Sequence, residues 1–311
     1  MFLRLFVIML IIFFPISTKG WGFFAHQRIN RLAVFLLPPE MIALYKPQLE
    51  YLTNHATDAD KRRYIVAAEG PRHYIDIDHY REEYLPVVWR DAVTKFSEDT
   101  LNTYGILPWH ISHMMARLTK AFQEKNSAQI MKLSADLGHY IADAHVPLHA
   151  CSNHNGQFTG QQGIHGLWES RIPELLADQA FNYWAGKAVY IRDIQATTWQ
   201  IVRESAMAAD TVLKKERTLS IHFPTDQRYA YENRSGKLVR TYSTAYTRAY
   251  QQVLGNMVER RMCGAIFMIS SFWYTAWVNA GMPHLGELDA KIFLKEKVLP
   301  VKDKMIGRQE E

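Results

Sequence analysis

Two pairs of metal-capable side chains, each set four residues apart, constrain this chain more than any other feature: His139 with Asp143, and His165 with Glu169. They fall within the stretch LGHYIADAHVPLHACSNHNGQFTGQQGIHGLWES. Residues four apart in a helix lie one above the other on a single face. Each pair therefore predicts a helix that aims an imidazole and a carboxylate at one point. His149 stands between the pairs, just past Pro147, which ends the first helix and swings the chain back. Imidazole nitrogen and carboxylate oxygen are ligands that zinc accepts alongside thiolate. The two cysteines, Cys151 and Cys263, form no competing pattern and are too few for a disulfide scaffold; whether they pair stays open. One His/Asp pair at this spacing is an ordinary surface pair. Two pairs with a third candidate ligand between them point to a metal site.

Elsewhere the apolar periodicity is helical. Ile29, Leu32, Ala33, Leu36 and Leu37 form one stripe, and Ile111, Met114, Met115, Leu118 and Phe122 form another. Residues 130–144, 199–213 and 244–280 read the same way. Strand signals are sparse, though YAYENRSGKLVRTYS, with a turn at Ser235-Gly236, predicts an exposed hairpin. The run from Met262 to Met282 carries no charge, so a membrane span has to be weighed. Ser270, Ser271, Thr275 and Asn279 along it, and Arg260-Arg261 before it, favour a buried core helix. With no repeat and no linker, the expected fold is all-α, a single multi-helix domain.

The N terminus reads as an export signal. Arg4 precedes an apolar run from Leu5 to Phe14, then Pro15 and a short segment to Gly20, with cleavage expected there. The run is short for a membrane span, and an uncleaved N-terminal anchor is the alternative. Cleavage leaves about 290 residues, enough for one large core, and makes Trp21 the first residue. Losing Arg4 and Lys19 lowers the formal charge of +5 by two, a mild basic balance compatible with an anionic substrate. The expected organisation is a signal peptide over 1–20, a helical domain over 21–285 and a charged C-terminal extension over 286–311. The expected location is secreted or periplasmic.

Two further segments hold candidate ligands. In WGFFAHQRIN, the free amine and carbonyl of Trp21 can chelate one metal, with His26 adding an imidazole. In HATDADKRRYIVAAEGPRHYIDIDHY the candidates are Asp58, Asp60 and His73. The ordered set Trp, His, Asp, His, His-x3-Asp-x5-His, His-x3-Asp/Glu resembles the superfamily that joins bacterial zinc-dependent phospholipase C to the single-strand-specific zinc nucleases. The motif resemblance runs from Trp21 to about Glu169.

The resemblance implies three zinc ions. One would take Asp60 or Asp58 with His73, His139 and Asp143. A second would take His149, His165 and Glu169. The third would take Trp21 and His26 and share Asp143 as a bridging carboxylate. The nuclease pattern Ala-Asp-x-x-Arg matches Ala59-Asp60-Lys61-Arg62-Arg63 and favours Asp60, while Asp58 stays open. The implied activity is phosphodiester hydrolysis, with Asp60 orienting or deprotonating the attacking water and Arg63 binding the phosphate. For Arg63 the alternative is a solvated basic run.

The resemblance leaves two substrates, single-stranded nucleic acid and phospholipid. The Trp21–His26 spacing and the string RHYIDID favour the nuclease branch, with Tyr74 stacking on a base and Asp76 bonding its edge. Glu169 is the phospholipase form of a position that is aspartate in the nucleases. The insertion from Tyr80 to about Leu107, with Trp89 and Tyr104 and followed by Trp109, maps onto neither branch. His110, His113, His145 and His154 read as packing or supporting histidines. A purely structural zinc cluster and a membrane-anchored binding protein are the readings from other classes.

Overall fold

Asn126 caps a helix by accepting the Gln129 amide, and the chain then runs to Ala144 with nearly every side chain from Ile130 onward buried. This helix is the centre of the molecule. The computed structural model describes residues 22–80, 85–234, 236–286 and 288. The expected signal segment, Trp21 and the extension apart from Gly286 and Leu288 lie outside the described residues.

In chain order the helices are α1 (Phe23–Ala33), α2 (Pro39–Tyr45), α3 (Leu49–Asn54), α4 (Asp58–Arg62), α5 (Trp89–Phe96), α6 (Glu98–Tyr104), α7 (Leu107–Gln123) and α8 (Ser127–Ala144). They continue with α9 (Ile164–Gly166), α10 (Ile172–Ala180), α11 (Ile194–His222), α12 (Thr244–Leu254) and α13 (Met257–Asn279). Two 3-10 turns, Ala67–His73 and Pro147–Ala150, and a π-helical turn, Leu167–Arg171, carry site residues. Strands β1 (Tyr229–Arg234) and β2 (Lys237–Tyr242) pair antiparallel and form the one sheet among the described residues. The fold is all-α, and the hairpin lies where its turn residues predict it.

Helices α7 and α8 pack along each other, α13 crosses both, and α1 lies against α13 and α8. The apolar C-terminal run is α13, a core helix: Phe272, Trp273 and Ala276 are fully buried, and the Trp273 indole donates to Ser134 O at 3.1 Å. Burying a large apolar side chain contributes about 1.5–3 kcal/mol. The polar residues along α13 have partners that explain them. Ser271 and Thr275 accept the Val189 and Ile191 amides, so they pin an extended segment to the helix. No helix among the described residues is long and apolar enough to cross a membrane.

Two expectations about helix extent change. The helix read over 244–280 is two helices, because Gly255 (φ 58°) and Asn256 (φ 58°) both take the left-handed conformation that ends α12. The helix read over 199–213 runs instead from Ile194 to His222, with Asp193 capping it through the Ala196 amide. The Tyr80–Leu107 insertion contributes α5 and α6. Its Trp89 meets Trp109 at 5.6 Å, and Trp109 meets Trp199 at 5.1 Å, so this aromatic cluster belongs to the core. Cys151 and Cys263 are both free thiols.

One contact sets the distance between α1 and α8. Gly138 has no side chain, and a Cβ there would collide with the Asn30 amide, which donates to Ala135 O at 3.1 Å. That close approach stacks His26 of α1 on His139 of α8, ring centroids 3.9 Å apart.

Candidate metal centre

Eight of the predicted ligands converge in the interior. His26 comes from α1, Asp60 from α4, and His73 from the end of the 67–73 turn; His139 and Asp143 come from α8. His149 comes from the 147–150 turn, His165 from α9 and Glu169 from the π-helical turn. All eight are at least nine-tenths buried. They fall into three groups whose donor atoms could each hold a metal ion, the first two sharing His139: Asp60, His73 and His139; His26, His139 and Asp143; and His149, His165 and Glu169.

The upstream set is built around Asp143. Its Oδ2 lies 2.9 Å from His73 Nδ1 and 3.2 Å from His139 Nε2, and those two nitrogens are 3.0 Å apart. Asp60 Oδ1 closes the group at 3.8 Å from His73 Nδ1 and 3.7 Å from His139 Nε2. The other oxygen, Oδ1 of Asp143, lies 3.3 Å from His26 Nε2. One carboxylate thus faces two groups of donors at once. In the downstream set, Glu169 Oε2 lies 2.9 Å from His165 Nε2 and 3.4 Å from His149 Nε2. The two imidazole nitrogens are 3.2 Å apart.

These separations test whether a metal fits. Donors around a four-coordinate zinc, each about 2.0–2.2 Å from the ion, sit about 3.3–3.6 Å from one another. The observed edges, 2.9 to 3.8 Å, scatter about that range. The tautomers agree. His139 Nδ1 donates to Ala56 O at 2.9 Å, His149 Nδ1 to His73 O at 2.6 Å, and His165 Nδ1 to His154 O at 3.0 Å. A carbonyl can only accept, so each Nδ1 carries a proton and Nε2 is the atom left to face the centre and bind a metal. Neither Asp60 oxygen has a hydrogen-bond partner among the described residues, nor has either His26 nitrogen. Burying such groups is costly unless something charged completes them. The donor set fits a divalent metal.

Burial lowers the His26 pKa to about 4, helped by the neighbouring His139. For His139 burial also disfavours the charge, but the Asp143 and Asp60 carboxylates outweigh it and hold the pKa at about 9. Asp143 is buried too, yet His139 and His149 keep its carboxyl well below the ordinary range.

Other predicted site residues lie elsewhere or in a different state. Asp58 is turned away from the centre, paired with His55 and, at 2.8 Å, with Lys61 Nζ. It is not a member of any donor group among the described residues. Tyr74 presents no ring face to solvent: it is fully buried, with its hydroxyl on Thr103 O at 3.1 Å. Asp76 is buried as well. Tyr74 packs inward beside Gly105 (φ 91°), whose bare Cα lies against the Tyr74 backbone.

The run Lys61-Arg62-Arg63 is not uniformly solvated. Arg62 reaches Asp136 at 2.9 Å and Tyr140 at 3.2 Å, while Arg63 is half-buried. Exposed Tyr64 lies beside Asp60 and Arg63, and burial and Asp60 together raise its pKa. His110 and His145 are buried outside the donor groups, His145 with Nδ1 on Ile141 O at 2.8 Å.

One carboxylate carries no expectation from the sequence. Glu69 is fully buried behind His73, its Oε1 3.6 Å from His73 Nε2. Arg72 donates to it at 2.7 Å, Arg62 at 3.4 Å, and the Tyr140 hydroxyl makes a short bond. Glu69 precedes His73 by four residues, the same spacing that marks the two ligand pairs, and that was the available signal.

No protein-family model matches the chain, and no curated protein does. Among solved structures the chain is similar to the alpha-toxin of Clostridium perfringens from the avian strain SWCP, at 15% identity and a TM-score of 0.42. The match covers 83% of this chain and 64% of that one.

Proposed function

We propose that this protein is a zinc-dependent phosphodiester hydrolase holding three ions. The observation that carries the reading is the downstream set. The His149 and His165 lone pairs face each other at 3.2 Å with Glu169 beside both. Three acceptors converging on one point call for a cation there, and nitrogen and oxygen donors at these spacings suit zinc.

Zinc bound in such a cluster lowers the pKa of a coordinated water and neutralises phosphate charge. The chain's own part is positioning and proton transfer. Asp60, with both oxygens free of hydrogen bonds, is placed to orient a water and take its proton. Arg63, half-buried three residues after Asp60, would bind phosphate oxygens through its guanidinium. The third position relies on the amine of Trp21, so this reading carries export and cleavage after Gly20 with it.

For the substrate, we place phospholipid ahead of single-stranded nucleic acid. Burial of Tyr74 and Asp76 withdraws the stacking platform that favoured a nucleic acid, and Glu169 has the form found in the phospholipases. The test uses protein beginning at Trp21, assayed with zinc and after chelation on phosphatidylcholine vesicles and on single-stranded DNA and RNA. Zinc-dependent release of phosphocholine with nucleic acid intact is the expected result. Nucleotide release would reverse the substrate order, and inactivity on both would overturn the hydrolase reading.

A further inference from the structure

Three of the donor histidines, His139, His149 and His165, have their tautomer set by a backbone carbonyl. His73 differs. It faces the centre through Nδ1, 2.9 Å from Asp143 and 3.0 Å from His139. For that nitrogen to offer a lone pair, its proton must sit on Nε2. The group behind Nε2 is a side chain, the Glu69 carboxylate, at 3.6 Å: longer than a hydrogen bond, but close enough for its charge to favour a proton on that nitrogen.

Glu69 is also a hub. Its three other partners are each a near neighbour in sequence of a donor residue: Arg62 is two after Asp60, Arg72 one before His73, and Tyr140 one after His139. The Tyr140 ring meets His73 edge-on at 5.5 Å and His139 at 5.6 Å. A fully buried carboxylate is retained only where charge and hydrogen bonds complete it, and here two guanidiniums and a phenol do so. In the downstream set the imidazoles of His149 and His165 are instead each held by a main-chain carbonyl.

We propose that Glu69 is the positioning carboxylate of the upstream set, favouring through its charge the proton on His73 Nε2 and tying together the segments that carry Asp60, His73 and His139. It touches no reacting atom and acts through His73. The proposal rests on the metal-binding reading above and adds a selectivity to it: loss of Glu69 weakens one metal position and spares the downstream one.

The experiment is zinc titration by calorimetry, with zinc content measured after dialysis, on wild type and the variants Glu69→Gln and Tyr140→Phe. In Glu69→Gln one binding step should weaken by about 10–100-fold while the others keep their affinity. Tyr140→Phe, which keeps the carboxylate and its arginines, should weaken the same step by less, and it remains informative if Glu69→Gln does not fold. Wild-type affinity at every step in both variants would overturn the proposal. So would uniform weakening of all steps together with a lower melting temperature of the zinc-free protein, since that is the pattern of a purely structural role. A wild type that binds no zinc would overturn the metal reading itself, and a variant result is read only against a wild type that does bind.

Discussion

The two donor sets are built on different principles. The downstream set uses His149, His165 and Glu169, all within one short stretch, with its two imidazoles steered by main-chain carbonyls. The upstream set gathers Asp60, His73, His139 and Asp143 from three separate segments and leans on a buried side-chain network of Glu69, Arg62, Arg72 and Tyr140. In the first, main-chain carbonyls fix the two imidazoles, and the Asn155 side chain holds the His165 segment by accepting the Gly163 and His165 amides. The second depends on tertiary packing, including the close approach at Gly138 that brings His26 onto His139. Asp143 joins the upstream pair of groups through its two oxygens.

The strongest way to break the comparison is to remove that bridge. Asp143→Asn takes away the one carboxylate shared by the His26 group and the His73–His139 group. Two metal positions should be lost together, while the downstream one persists. Losing several kcal/mol of transition-state stabilisation corresponds to a fall in hydrolysis on the order of 10³-fold. Zinc content and rate, measured on the same preparation, check this. Loss of only one equivalent would mean that the groups do not share Asp143.

The same contrast explains what could be read from the chain. His139, Asp143, His165 and Glu169 were legible because helical spacing places such pairs on one face. His149 was legible from its place after Pro147. The upstream partners were harder. Asp58 and Asp60 both precede His73 at acceptable distances, and only the packing of α4 shows that Asp60 turns inward while Asp58 meets His55 and Lys61. The burial of Tyr74 was not legible, because an aromatic after a metal histidine looks the same on paper whether it opens to a cleft or, as here, is buried with its hydroxyl on the Thr103 carbonyl. The split between α12 and α13 was visible in Gly255-Asn256 but outweighed by the continuous apolar pattern around it.

Protons sharpen the comparison next. In the metal-free protein the Asp143 and Asp60 carboxylates, working against burial, hold His139 at about 9. The folded pKa lies above the ordinary histidine value of about 6.5. That contribution to stability is therefore complete below about pH 6.5 and is lost as pH rises through 9. Zinc competes with the same proton, so uptake by the upstream set should release a proton at pH 7 and tighten as pH rises toward 9. Calorimetry in two buffers of different ionisation enthalpy counts the protons released. Uptake at that pH with no proton release would show that His139 is already neutral there.

The smallest effect is also the cleanest discriminator, because it separates two aspartates one residue apart from a common neighbour. Asp58 lies outside the donor groups. Partial burial opposes its charge, but His55 and Lys61 outweigh that and lower its pKa. Such a partly exposed pair is worth about 0.2–1 kcal/mol, so Asp58→Asn should cost no more than that in stability. Zinc content should be unchanged and activity should stay within about twofold, since Asp58 belongs to no donor group. Asp60→Asn, by contrast, removes a donor whose oxygens face His73 and His139 at 3.8 and 3.7 Å, and should weaken the upstream position while leaving the downstream one intact. If the two variants behaved alike, the side-chain network around Glu69 would be organising the wrong aspartate. The contrast between a backbone-fixed set and a packing-fixed set would then fail at its most specific point.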